Sequence, residues 1–278
     1  MKTILVATDF SKSANNACLY AIEMAKEIKA DIILLHVFET PLLFAGQYFT
    51  VYYELAEKKL KAYQQKITKL AGKVKISLAL QQGLPSSRIT EFAIEKKVDL
   101  VIVGTSNNEG IAKIIFGSNA LRIFRHSTCP VMAIPTRCKY KGIHKITYAT
   151  DLKKDNISSA KLLFPFAAKF NAEITFLNVS DALEKEEFNS AAKELNKQIK
   201  KYFNYPKLSG YVCNNLDASE GINFYLKHHS TDCLAPFSHQ RNLFQHIFGE
   251  SITKRISLHA KTPLLIIPEA EFLSSGLK

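Results

Sequence analysis

The sequence predicts an α/β protein of two domains, each a doubly wound sheet of five parallel strands. Three observations carry this. The second half of the 278-residue chain repeats the first, each half alternates short β-branched runs with helical periods, and the runs are almost continuously apolar. Continuous rather than alternating apolar residues are what parallel strands covered on both faces require. Strand, helix, strand in repetition gives right-handed crossovers and a sheet wound in both directions.

The repeat is visible residue by residue. The segment from Lys2 to Phe10 returns as Lys145 to Leu152, Leu34-Leu35-His36-Val37 returns as Phe176-Leu177-Asn178-Val179, and the segment from Thr128 to Pro135 returns as Lys261 to Pro268. The offset is 142 residues at Asp9/Asp151 and at Val37/Val179, and 133 at Pro130/Pro263. About nine residues are therefore missing between these markers in the second half, a loss that loops tolerate and strands do not.

In the first half the strand runs are residues 3–7, 32–37, 74–80, 100–103 and 131–134. Between the first two, Ala14, Ala17, Cys18, Ala21, Ala25 and Ile28 mark one apolar helical stripe, with Ser11 or Ser13 as its cap. Ser86 or Ser87 caps a later helix carrying Ile89, Phe92 and Ala93. In the second half the runs are residues 146–149, 174–179, 208–213, 233–235 and 264–267. Pro165 falls in the first helical period there and must kink the helix or displace its start. The expected domains are residues 1–138 and 143–278, joined by a short basic linker over residues 136–142.

Composition fixes the class. Hydrophobic residues at 47% and charged residues at 22% are globular values. The apolar run Ile4 to Ala7 is too short for a signal peptide and ends at Asp9, and no run of about 18 apolar residues predicts a membrane span. Five scattered cysteines, Cys18, Cys129, Cys138, Cys213 and Cys233, form neither C-x-x-C nor a zinc spacing, which suits a reducing cytoplasm. The net charge of +12 divides evenly, 18 basic against 11 acidic residues through Cys138 and 19 against 14 beyond it. The lysine clusters fall on amphipathic helical patterns beside acids, so they read as solvated faces and not as a specific nucleic-acid surface.

Ligands of an open parallel sheet bind beyond the carboxyl ends of the strands, where strand order reverses. Asp9 and Gly104 are expected to end the first and fourth strands there. After Gly104 comes Thr105-Ser106-Asn107-Asn108-Glu109-Gly110, then Phe116-Gly117-Ser118-Asn119 opening a helix. Backbone N–H groups of such a loop and of a helix start cradle phosphate. Each residue also has a plainer reading. Asp9 can cap the following helix, Gly104 and Gly117 can serve turns and close packing, His36 is a satisfied core histidine and Cys129 a packed thiol. His228, His229 and His239 are not spaced with acids as a metal site.

The stretch Val98-Asp99-Leu100-Val101-Ile102-Val103-Gly104-Thr105, the spacing Gly104-x2-Asn107-x9-Gly117-Ser118 and the ending His126-Ser127-Thr128-Cys129-Pro130-Val131 together resemble the universal stress protein family. Its nucleotide-binding branch carries G-x2-G-x9-G-[ST]. The resemblance covers the whole chain as a tandem, two-domain member. It implies a Rossmann-like, adenine nucleotide alpha hydrolase-like fold and a stress-response or signalling protein. It also implies ATP or another adenine nucleotide, with Mg²⁺ if ATP, in the N-terminal domain.

By that resemblance Thr8 and Asp9 meet the adenosine, the Val37 backbone meets adenine, and Gly104, Gly117, Ser118 and Asn119 meet phosphate and ribose. Asn107 replaces the second glycine. Asparagine takes positive φ more readily than other non-glycine residues, which keeps the loop shape available, while its side chain crowds the phosphates. In the second half, counting back from Gly249 places Pro236 and His239 at the glycines and Glu250 at the serine, so nucleotide binding is expected to be lost there.

Three function classes follow. The first is a nucleotide-binding signalling protein with at most slow ATP hydrolysis. The second is an interaction module of the same fold that binds no nucleotide. The third is a nucleotide-activating pyrophosphatase, which would resemble S-G-G-x-D-S where this chain has Thr8-Asp9-Phe10-Ser11. A receiver-type phosphoacceptor lacks its acidic pair. The final strands, closed by Pro135 and Pro268, are expected to pair the two halves as an internal pseudo-dimer, with further homo-oligomers left open.

Overall fold

The computed structural model describes residues 1–40, 49–107, 114–115, 118–150, 160–180, 185–236 and 262–268. The chain forms two compact units, the first chiefly residues up to Tyr140 and the second chiefly those from Lys141, with Asn107 and Ile114–Ile115 grouped with the second.

The first unit holds β1 (Thr3–Ala7), α1 (Lys12–Ile28), β2 (Asp31–Phe38), α2 (Phe49–Ala71), β3 (Ile76–Gln82), α3 (Pro85–Glu95) and β4 (Leu100–Asn107). After β4 and the two-residue strand β5 (Ile114–Ile115), which groups with the second unit, come α4 (Ser118–His126) and β6 (Val131–Pro135). Its sheet runs β3-β2-β1-β4-β6, with every pair parallel. The strands that follow β1 in sequence go to one side of it, and β4 and β6 go to the other. The order therefore reverses at β1/β4, which puts the ligand crevice over the carboxyl ends of those two strands.

Burial explains why these runs are strands. Ile4, Leu5 and Val6 are wholly buried, as are Ile32, Leu34, Leu35 and residues 100–102. On α1 the buried residues are the small Ala14, Ala17, Cys18, Ala21 and Ala25 together with Tyr20, Ile22 and Met24. The Ser11 hydroxyl caps that helix by accepting from Ala14 N–H at 3.2 Å. Lys29, in the left-handed region at φ 55°, closes it by donating its N–H to Ala25 O.

The second unit repeats the scheme. It holds β7 (Lys145–Ala149), a 3-10 turn (Ala160–Leu163), α5 (Phe164–Lys169), β8 (Glu173–Ser180), α6 (Lys185–Tyr202), β9 (Leu208–Asn214), α7 (Ala218–His228), β10 (Cys233–Pro236) and β11 (Leu264–Ile266). Its order is β11-β10-β7-β8-β9, again parallel. Pro165 stands in the first turn of α5, where its missing N–H costs no hydrogen bond, and the chain ahead of it is 3-10.

Three expectations need correction. Helix α3 starts at Pro85, so Ser86 and Ser87 lie inside its first turn, and its N-cap Leu84 makes no side-chain bond. The proline ring, with φ already helical, sets this start without a polar cap. Strand β4 continues past Gly104 to Asn107, so Gly104 is an interior strand residue and Asn107 closes the strand. The third concerns Pro236. Ile4 pairs with Leu100 as Ile146 pairs with Cys233, so Leu100 corresponds to Cys233 and Pro236 to Val103. The register counterpart of Gly104 is Phe237, which with His239, Gly249 and Glu250 lies outside the described residues.

Residues 136–140 are bound to the first unit rather than free. Asn16 of α1 donates its two amide protons to Pro135 O and Cys138 O, both at 2.8 Å. Further along α1, the Tyr140 hydroxyl donates to Glu27 at 2.6 Å and its ring meets Tyr20 edge-on at 4.9 Å.

Candidate functional site

The corner after β1 is shaped by its own side chains. The Thr8 hydroxyl accepts from Phe10 N–H at 3.0 Å, and the Asp9 carboxylate accepts from Ser11 N–H at 2.9 Å. Each side chain thus takes an amide two residues ahead, which bends the chain off the strand and into α1. Phe10 sits in the bend at φ 65°, a left-handed conformation that costs an L-residue with a bulky side chain about 1–2 kcal/mol. Ser11, not Asp9, is the N-cap of α1, so the exposed Asp9 carboxylate is not spent on the helix.

Over this corner lies a cavity of about 150 Å³ within the first unit. Thr8, Asp9, Val37, Gly104 and Asn119 all line it, together with Ser11 and Ser13 from the start of α1. Leu35, Val103, Ile89 and Ile123 supply apolar walls. Among the described residues that line it, Asp9 is the one charged side chain, and none is lysine or arginine. The described lining therefore suits an uncharged, partly polar group.

Ser118 opens α4 and is exposed, one residue before Asn119, but is not among the lining residues. Asn107 ends β4. Gly117 lies outside the described residues. Ser11 and Ser13 were read from the sequence only as candidate helix caps, and both line the cavity, their hydroxyls 3.0 Å apart.

Gly104 has a packing reason of its own. A Cβ there would lie 2.5 Å from the backbone carbon and oxygen of Ser13 and 2.7 Å from Ala14 N. Its backbone is not in the left-handed region. Glycine is needed so that the first turn of α1 can rest on β4, and that contact closes one side of the cavity.

Beside the corner lies a cluster of rings. His36 Nδ1 is 2.8 Å from Thr8 O, and the Phe10 ring is 4.5 Å from the His36 ring and 5.7 Å from Tyr63. Lys59 Nζ stands 4.5 Å from the centre of the Phe10 ring, a cation–π contact. Burial lowers the His36 pKa from its ordinary value. The Thr8 carbonyl opposes that shift, Lys59 adds to it and Asp9 opposes it. His36 is thus a histidine with a satisfied hydrogen bond, as expected.

The thiols are packed rather than reactive. Burial raises Cys129 above its ordinary value despite its bond from Ser127, and raises Cys18 to about 11. Among the described residues no group of three His, Cys, Asp or Glu side chains could hold a metal ion, and no helix is long and apolar enough to cross a membrane.

Known proteins similar to this chain belong to one family. The sequence model of the Universal stress protein family matches residues 1–135. A universal stress protein of Methanocaldococcus jannaschii is 34% identical over 139 residues, 48% of this chain and 81% of that protein. One from Thermus aquaticus is 28% identical over 137 residues, 48% of this chain and 98% of that protein. Each relative thus aligns with about one unit's length of this chain.

Among solved structures, a universal stress protein from Archaeoglobus fulgidus is similar over 95% of this chain and 97% of its own, with TM-score 0.72 at 14% identity. A putative universal stress protein from Pseudomonas aeruginosa covers 99% and 96%, with TM-score 0.63 at 14% identity. At such identities the likeness establishes the α/β fold and nothing finer.

Proposed function

Because the chain belongs to the universal stress protein family, we propose that its first unit binds one ATP, or another adenine nucleotide, over the carboxyl ends of β1, β2 and β4. The carrying observation is that Thr8, Asp9, Val37, Gly104 and Asn119, distant in sequence, line one cavity. Adenine is flat and partly polar, which suits apolar walls with a few polar edges. The Asp9 carboxylate repels phosphate but accepts from ribose hydroxyls, so the phosphates belong over the first turn of α4, at Ser118 and Asn119. The unpaired N–H groups and positive end of that helix favour them. Mg²⁺ would arrive with the phosphates, since Asp9 is the one carboxylate among the described lining residues. In this proposal the protein is a cytoplasmic stress-response component that carries its nucleotide as a signal.

Calorimetry of the full chain with ATP, ADP and AMP tests the proposal. The expected stoichiometry is near one, and Ser118→Glu should weaken ATP while leaving adenosine little changed. A stoichiometry near two, or ATP binding indifferent to Ser118→Glu, contradicts the assignment.

One observation favours a second reading. About 150 Å³ is below the roughly 300–1,000 Å³ of ordinary ligand clefts, and Gly104 is explained by packing alone. An interaction module without nucleotide would fit those facts. Mass spectrometry of small molecules released from freshly purified protein separates the two readings.

A further inference from the structure

We propose that His36 is a positioning residue for the nucleotide site proposed above. Its ring holds the Thr8 carbonyl at the end of β1 and so keeps the Val37 N–H open to an acceptor on the ligand. The inference rests on that proposed site for its consequence, but not for its geometry.

The ladder between β1 and β2 shows what is interrupted. Odd-numbered residues of β2 face β1: Asp31 N–H donates to Lys2 O at 2.8 Å, and Leu35 O accepts from Thr8 N–H at 2.9 Å. Even-numbered residues face β3, since Ile32 N–H donates to Lys75 O at 2.9 Å and Phe38 O accepts from Gly83 N–H at 3.0 Å. The next rung of a regular parallel ladder would run from Val37 N–H to Thr8 O. It does not form. The paired register stops at Ala7 with Leu35, and Thr8 O instead meets His36 Nδ1 at 2.8 Å. Val37 N–H therefore points away from β3, past the end of β1, and no described residue accepts from it. Val37 also lines the cavity. A backbone donor without a partner at the wall of a cavity is a place for a ligand acceptor.

The second unit makes the same interruption with a different side chain. Thr150 N–H donates to Leu177 O at 2.9 Å, the register stops at Ala149 with Leu177, and Asn178 Nδ2 donates to Thr150 O at 3.1 Å. An amide nitrogen can only donate, and so can any partner of a carbonyl oxygen. His36 must therefore carry its proton on Nδ1. What the two side chains share is a single N–H at one place, and that donor is the requirement.

The groups facing His36 are Asp9 and Phe10 from the corner after β1 and Lys59 from α2, while Tyr63 of α2 packs against Phe10. Because Nδ1–H donates in the neutral tautomer and in the imidazolium alike, titration of the ring does not break the bond. Lys59 and Asp9 act on its charge in opposite directions.

The experiment uses full-length wild type, His36→Asn and His36→Leu. Imidazole ¹⁵N shifts report the tautomer, amide exchange in ligand-free protein reports Val37, and calorimetry reports ATP and adenosine. In wild type we expect Nδ1–H and a Val37 amide that exchanges much faster than Leu35. His36→Asn should bind both ligands within about twofold of wild type. His36→Leu should weaken both by roughly tenfold, the scale of one hydrogen bond, and slow Val37 exchange as the rung closes. An Nε2–H tautomer, a Val37 amide protected like Leu35 in wild type, or equal losses in the Asn and Leu variants would overturn the proposal. If wild type binds neither ligand, the nucleotide reading fails, while tautomer and exchange still decide what His36 does. Those two measurements on wild type also suffice if His36→Leu does not fold.

Discussion

Asp99 and Asp232, 133 residues apart, close the same clasp. Asp99 Oδ2 accepts from the N–H groups of Lys2 at 2.6 Å and Thr3 at 2.9 Å, and Asp232 Oδ2 accepts from those of His144 at 2.8 Å and Lys145 at 2.9 Å. Each aspartate also donates its own N–H to the first strand, Asp99 to Thr3 O at 3.0 Å and Asp232 to Lys145 O at 2.9 Å. One carboxylate thus ties the start of the central strand to the start of its neighbour and sets the register of both. The repeat seen in the sequence is a repeat of this hydrogen bonding as well as of apolar pattern.

Asp99→Ala and Asp232→Ala should each cost about 1–2 kcal/mol of stability, the lower part of the range for charge-assisted bonds because both sites are exposed. Asn at either position keeps one acceptor and should cost less. Denaturant titration reads this as a lowered midpoint at unchanged slope. A variant as stable as wild type would show that the clasp is incidental.

Gly104→Ala tests whether packing at the site is as tight as the distances state. A methyl 2.5 Å from the Ser13 backbone cannot be absorbed by a side-chain rotation, so the first turn of α1 must move away from β4. We expect about 1–3 kcal/mol lost, with weaker ATP and weaker adenosine alike, because Ser11 and Ser13 move together. Loss confined to ATP would instead mean that Gly104 matters only to phosphates.

Asn16 offers a separate test of the strap after β6. Asn16→Ala removes both donors from Pro135 O and Cys138 O. Leaving two part-buried carbonyls without these partners should cost about 1–3 kcal/mol. Amide exchange should rise first at Cys138, whose N–H bonds to Pro135 O at 2.9 Å. Unchanged exchange there would mean that the turn at residues 135–138 holds itself.

The strands were legible because burial on both faces leaves an unbroken apolar run, and Ser11 was legible because a serine ahead of an alanine stripe has few other uses. The start of α3 was not, since Pro85 sets it by conformation while Ser86 and Ser87 look like caps in sequence. The extent of β4 was hidden because Thr105, Ser106 and Asn107 carry no apolar signal, although the backbone continues as strand. The match of Pro236 to Gly104 failed by one residue. Counting from Gly249 assumes that no residue was gained or lost on the way back, whereas strand pairing fixes the register directly. Of the residues that line the cavity, Thr8, Asp9, Val37, Gly104 and Asn119 were named from the family resemblance. The bond from His36 to Thr8 was beyond reach, because it depends on where one ladder stops.

The pH dependence of stability gives His36 a signature distinct from its effect on binding. Burial, the largest cause, lowers its pKa in the folded state below the value of about 6.5 expected for the unfolded chain. As pH falls through about 6.5 the unfolded chain takes up its proton first, so folding is disfavoured progressively until the folded ring also titrates. The stabilisation from the neutral ring is therefore complete above pH 6.5 and lost below it, down to the folded pKa. His36→Asn has no such titration, and every other group is common to the two proteins. The difference in unfolding free energy between them should be flat above about pH 7 and move against wild type on acidification. A difference moving in favour of wild type would mean a raised pKa, and with it a dominant interaction with Asp9. ATP affinity of the two proteins should meanwhile run in parallel through the titration of His36, because both side chains donate to Thr8 at every pH.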